Sequence, residues 1–263
     1  MDLHLSGKKA VVTGASRGLG YAVALGLAQE GVDLVINSRN QEKLSEAATT
    51  LSREGGVRVC GIAGDIADPS FPSSLIEKAD QKLGGIDLLV TNAGGPPPGK
   101  FEDFDEAAWQ RAIDLSLMSH VRLIRAALPY LRHSGSPSVL TITSYSVKQP
   151  LPNLILSNSI RAATVGLTKS LALELGHDRI RFNSILPGWT ETERVQELMS
   201  ARARQKGTSI DEEISAQAHD SPLGRMGQPQ EFANAAVFLL SPAASYITGV
   251  MLTVDGGMYK GTL

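Results

Sequence analysis

Gly14, Gly18 and Gly20 stand between a short apolar run, Ala10-Val11-Val12, and the apolar series Val23, Leu25, Leu27 and Ala28. This order reads as a strand, a tight turn and a helix. Glycines in such a turn let the backbone approach a pyrophosphate while the helix packs close to the sheet, and the unpaired N–H groups at the helix start favour an anion. A further apolar run, Leu34-Val35-Ile36, completes a βαβ unit. That frame favours a dinucleotide site over a bare turn, with Gly14, Ser16, Arg17, Gly18, Leu19 and Gly20 as its candidate cradle.

Charge selects between two dinucleotides. An NAD site places an acid about 20 residues past the glycines for the ribose 2′-hydroxyl, whereas an NADP site needs a cation for the 2′-phosphate. The second strand ends Asn37-Ser38-Arg39 without an acid, and Asp33 lies at its opposite end. Arg17 and Arg39 together suit bidentate phosphate contacts, so NADP is expected before NAD, with solvated surface arginines as the alternative.

Positioning such a site takes a sheet. Strand-like runs occur at 10–13, 34–37, 57–63, 86–91, 138–143, 180–186 and 250–254, with helical patterns between them. Right-handed crossovers then give an α/β, Rossmann-type, doubly wound parallel sheet of about seven strands with helices on both faces, and ligand beyond the strands' carboxyl ends. Trp109, Ile113, Leu117, Val121, Ile124 and Leu128 recur at helical spacing and predict one amphipathic helix over 105–133. The segment 154–175 is apolar nearly all round, which favours packing against another subunit over a buried monomeric helix. A charged helical stretch at 191–220 reads as an insertion over the site, either a lid or a plain surface excursion.

At 263 residues and 42% apolar, the chain fits a single domain over 1–263. Lys and Arg number 25 against 27 Asp and Glu, a net charge of −2 without a basic block, so neither nucleic acid nor an anionic membrane is expected as partner. A lone cysteine, Cys60 in an apolar stretch, reads as a buried thiol in a cytoplasmic protein, and no signal peptide or membrane span is expected. His4, His120, His133, His177 and His219 lack metal-ligand spacing, so no metal is expected and surface or helix positions are.

The motifs Thr13-Gly14-Ala15-Ser16-Arg17-Gly18-Leu19-Gly20, Asp65-Ile66, Thr91-Asn92-Ala93-Gly94, Pro187-Gly188 and Val254-Asp255-Gly256-Gly257 together resemble the short-chain dehydrogenase/reductase family over nearly the whole chain. Pro222-Leu223-Gly224-Arg225 and Ile247-Thr248-Gly249 are similar to its β-ketoacyl-acyl-carrier-protein reductase-like members. The resemblance implies a homotetramer, a nicotinamide cofactor and hydride transfer to or from a small carbonyl or alcohol, including 3-oxoacyl thioesters. It also implies that Asp65 and Ile66 contact adenine, that Asn92, Ala93 and Gly94 line the ribose side, and that Pro187, Gly188, Thr190 and Thr192 hold the carboxamide.

The family's Asn, Ser and Tyr-x-x-x-Lys set is only partly present. Gly166-Leu167-Thr168-Lys169-Ser170-Leu171-Ala172 fixes the register, with Ser144 at the Ser position, Ser116 at the Asn position, Ser157 at the Tyr position and Arg161 at the Lys position. A serine hydroxyl is too weak an acid to replace tyrosine unaided, and arginine does not release its proton, although it can bind ribose hydroxyls and supply charge. Three readings follow: carbonyl chemistry with Ser144 and Ser157 polarising the oxygen and water or substrate supplying the proton; Tyr145 replacing the tyrosine; or an NADP-binding, non-catalytic sensor or scaffold. Tyr145 faces away from Ser144 if the segment stays extended. The substrate pocket is expected from 96–100, 145–153 and the insertion after Thr192. Gly95-Pro96-Pro97-Pro98-Gly99 would be a stiff loop beside it, with Trp189 as a wall or a core aromatic. Arg194, Arg202, Arg204 and Lys206 read as a solvated basic helix face before an anchor for an acidic group.

Overall fold

Alternate residues along a strand point to opposite faces of a sheet, and the strand sequences use both faces for apolar groups. The computed structural model describes residues 1–262. Seven parallel strands, β1 (Lys9–Val12), β2 (Asp33–Ser38), β3 (Val59–Ala63), β4 (Leu88–Thr91), β5 (Ser138–Ile142), β6 (Arg181–Pro187) and β7 (Met251–Val254), form one sheet in the order β3-β2-β1-β4-β5-β6-β7. Val12, Ile36, Val90 and Ile142 meet one helical layer, in which Leu27 belongs to α1 (Gly18–Gln29), Leu44 to α2 (Gln41–Gly55) and Val237 to α9 (Pro229–Leu240). Their neighbours Val11, Val35, Leu89 and Val139 meet the other layer through Leu75 of α3 (Phe71–Leu83), Leu123 of α5 (Ser119–Leu131) and Ala172 of α6 (Ile155–Glu174). The expected doubly wound architecture is present.

Several details depart from the sequence-based expectation. The helix expected over 105–133 comprises α4 (Glu106–Ile113), a π turn (Asp114–Met118) and α5, with Asp105 capping α4 by accepting from Ala108 N at 2.8 Å. The extra residue in the π turn rotates the side chains after it, which changes what reaches the site. Cys60 is half-buried, because β3 is an edge strand. The 191–220 region forms α7 (Glu193–Lys206), capped by Thr192, and α8 (Ile210–His219), whose start is a Ser209–Glu212 capping box. Among the described residues, no helix is long and apolar enough to cross a membrane.

Candidate functional site

The strand order reverses direction between β1 and β4, and a parallel sheet opens a crevice there beyond its carboxyl ends. A cleft of about 680 Å³ occupies it, lined by Gly14, Ser16, Arg17, Gly18 and Leu19, by Asp65 and Ile66, by Asn92, Ala93 and Gly94, and by Pro187, Gly188, Thr190 and Thr192. Gly18 opens α1 with a φ of +62°, a conformation that costs other residues strain. At Gly20 a Cβ would collide with the Gly14 carbonyl oxygen and come within 2.7 Å of Asn92 Nδ2. Gly20 therefore supports the turn from behind and does not line the cleft. Thr13 Oγ1 donates to the Asn92 carbonyl at 2.8 Å, and Asn92 Nδ2 donates to the Gly14 carbonyl at 3.2 Å, so the ends of β1 and β4 are tied together.

A dinucleotide fits these residues. The first turn of α1 has no acidic side chain and no side-chain cap, which leaves its N–H groups free for a diphosphate. Gly94 has open space where a Cβ would lie. At the far end the cleft is lined by Ser38, Arg39, Asn40 and Lys43, with no acid at the carboxyl end of β2; Asp33, at its opposite end, is engaged by Arg58 at 2.8 Å. Lys43 escaped the sequence reading because it lies in a helix beyond the motif, on the first turn of α2. Arg17 lines the same cleft as Arg39, and its guanidinium pairs with Glu193 and reaches Glu197 of α7 at 3.6 Å.

At the other end of the cleft stand Ser144, Tyr145, Ser157 and Arg161. Ser144 follows β5, and its hydroxyl accepts from Ser146 N at 3.2 Å, which starts a 3-10 turn at Tyr145–Val147. Because the chain turns there and does not stay extended, Tyr145 lines the cleft, contrary to the extended reading. Its phenol is pushed above the ordinary value of 10, chiefly by burial, against a smaller opposing hydrogen bond from Trp189. Ser157, on the first turns of α6, is 9% exposed.

Arg161 lies one turn after Ser157, with its guanidinium enclosed. It donates to the carbonyls of Thr143 at 3.1 Å, Ile142 at 3.4 Å and Ala93 at 3.5 Å, bridging the chain after β4 to the end of β5. Burial, with the charge of Arg194 adding to it, lowers its pKa to about 10, so it remains a cation near neutral pH. It supplies charge to the cleft wall.

Ser116 does not join the group. The π turn directs its side chain inward, where the hydroxyl is buried without a partner, while Leu115 lines the cleft. The Ser116 carbonyl accepts from Thr164 Oγ1 at 2.6 Å. Beside this turn His120 is buried, its Nδ1 also unpartnered, and burial followed by the charge of Arg161 lowers its pKa to about 3. The spacing of the histidines carried no hint of that burial.

The motifs thus converge on one cleft from successive strand ends. A family model described as enoyl-(acyl carrier protein) reductase matches residues 14–259. The 7alpha-hydroxysteroid dehydrogenase of Escherichia coli (strain K12) is 34% identical over 256 residues, 97% of this chain and 96% of that protein. The chain belongs to the short-chain dehydrogenase/reductase family. It is an oxidoreductase of the NAD(P)-dependent kind that acts on alcohols or ketones. Among solved members, L-sorbose reductase from Gluconobacter frateurii, in complex with NADPH and L-sorbose, superposes with a TM-score of 0.95 at 35% identity, covering 99% of this chain and 100% of that one. A short-chain oxidoreductase from Pseudomonas aeruginosa PAO1, NADPH-bound and containing an atypical catalytic center, gives a TM-score of 0.88 at 30% identity, covering 97% and 98%.

Proposed function

We propose that the protein is an NADPH-dependent carbonyl reductase, the observation that carries this being one cleft with an uncapped helix start at one end and Ser144, Ser157 and Arg161 at the other. NADPH would supply a hydride. The α1 start would hold its diphosphate, Arg39 and Lys43 its 2′-phosphate, Asp65 and Ile66 the adenine side, and Asn92 to Gly94 the ribose side. Pro187, Gly188, Thr190 and Thr192 would frame the carboxamide. The NADPH complexes of the two solved relatives support the choice of NADP.

The chain's own chemistry is polarisation without the usual acid. Ser144 and Ser157 donate to the carbonyl oxygen, and the Arg161 cation favours negative charge developing there. The proton comes from water held by the two hydroxyls. Tyr145, kept neutral by burial, is the second candidate donor. α7 and α8 act as the lid, with Arg17–Glu193 as its contact with the cofactor turn. The exposed face of α6, with Ala162, Ala163, Gly166 and Leu173, fits a homotetramer contact.

The test measures oxidation of NADPH and NADH with a panel of ketones and 3-oxoacyl thioesters. Turnover that prefers NADPH is expected, and Ser157→Ala should lower kcat by roughly 10²-fold and more than Tyr145→Phe does. Tight NADPH binding with no turnover across the panel would instead make the protein a cofactor-binding sensor or scaffold. A larger loss from Tyr145→Phe would move proton donation to Tyr145.

A further inference from the structure

A second cavity of about 460 Å³ opens beside the cofactor cleft. Tyr145, Leu151, Leu154, Trp189 and Leu198 line both, whereas Ser144 and Ser157 line only the cleft and Arg202 only the second cavity. A molecule whose reacting oxygen lies at the two serines would therefore run past an apolar waist toward Arg202.

Arg202 is a built feature, not a solvated helix charge. Its guanidinium carbon stands 4.9 Å from the centre of the Trp189 ring, and Trp189 is 7% exposed. Nη1 donates to Gln217 Oε1 at 2.8 Å, and Gln217 Nε2 donates to Asp220 Oδ2 at 3.0 Å. A neutral amide thus stands between the cation and the nearest carboxylate in this chain of hydrogen bonds. Among the described residues Arg202 forms no ion pair, in contrast to its neighbour Lys206, which is taken by Glu213 at 2.9 Å. Stacking and the amide fix the guanidinium while leaving its remaining N–H groups without a carboxylate in ion-pair contact, Glu213 acting on it only from farther away.

We propose that Arg202 is a substrate anchor and that the physiological substrate is a ketone carrying a carboxylate at the far end of an apolar body. This rests on the carbonyl-reductase reading. One planar fork matches one carboxylate. Lys260 also lines the cavity but is exposed, whereas Asp220 on the same wall opposes a doubly charged group.

The experiment compares an aryl oxo acid, its methyl ester and its phosphonate analogue in wild type, Arg202→Gln and Arg202→Lys, all with NADPH. In wild type the acid should show a KM about tenfold or more below that of the ester, as a lost charge-assisted hydrogen bond implies. Arg202→Gln should raise the acid's KM by that factor while leaving kcat and the ester's KM unchanged, and Arg202→Lys should restore part of it. Equal KM values for acid and ester, or equal effects of Arg202→Gln on both, would overturn the proposal. A preference for the phosphonate would overturn the carboxylate assignment.

A binding arm separates this proposal from the catalytic one. The corresponding aryl-alkanoic acid, which has no carbonyl to reduce, is titrated against NADPH-loaded protein by calorimetry. Saturable binding that Arg202→Gln weakens about tenfold supports the anchor even if no ketone turns over, in which case the reductase reading alone fails. Affinity unchanged by Arg202→Gln overturns the anchor whatever the turnover.

Discussion

A histidine that stays uncharged inside a protein makes folding sensitive to acid. His120 has its pKa lowered from 6.5 to about 3 by burial, with Arg161 adding to the effect. In the unfolded chain the same ring binds a proton near 6.5, so between these values the unfolded state holds the extra proton. The stability this preserves is fully present above about pH 6.5 and is lost as pH falls toward 3, by up to about 1.4 kcal/mol per pH unit. His120→Leu should therefore flatten the dependence of unfolding free energy on pH between 6 and 4 by nearly one proton, measured by urea denaturation at a series of pH values. The slope is the readout, because absolute stability also reflects the repacking around the new side chain. An unchanged slope would mean that His120 takes up its proton in the native state.

At the scale of elements, the cofactor turn depends on a contact that only glycine permits. Gly20→Ala would place a methyl group against the Gly14 carbonyl and Asn92, separating the ends of β1 and β4 that Thr13 and Asn92 tie together. The expected result is a loss of NADPH affinity of about tenfold or more in titration, with a smaller loss of thermal stability. The strands were legible in the sequence because buried parallel strands are continuous apolar runs, and glycines mark the turns where they end. The π turn was not, since Asp114 to Met118 keeps ordinary helical spacing and its extra residue shows only in the ladder of backbone bonds. Ser116 lies within that turn, and its hydroxyl is buried outside the cleft lining. Tyr145 carried a condition that the structure does not meet: the Ser144 hydroxyl accepts from Ser146 N, and 145–147 fold into a 3-10 turn with Tyr145 on the cleft. Arg17 and Arg202 could not be read locally, because their partners Glu193 and Trp189 are distant in sequence or on another element.

For the whole molecule, the apolar reading of 154–175 acquires a definite surface. One side of α6 buries Leu156, Ile160 and Val165, while Ala162, Ala163 and Gly166 remain exposed, as does Leu173 at 76%. If this face joins subunits, Ala163→Arg should shift the mass measured by light scattering toward smaller species while leaving the fold's circular dichroism intact; an unchanged mass would place the contact elsewhere. The same helix carries Arg161, whose guanidinium both charges the cleft and clasps carbonyls at β4 and β5. An attempt to install the family's usual pair through Ser157→Tyr and Arg161→Lys would exchange a fork of five N–H groups for a point charge with three. Carbonyls that lose their donor cost about 1–3 kcal/mol each when they stay buried. A gain in proton transfer would thus arrive together with a looser seam through the middle of the sheet, so that catalytic repertoire and mechanical integrity are negotiated at a single side chain.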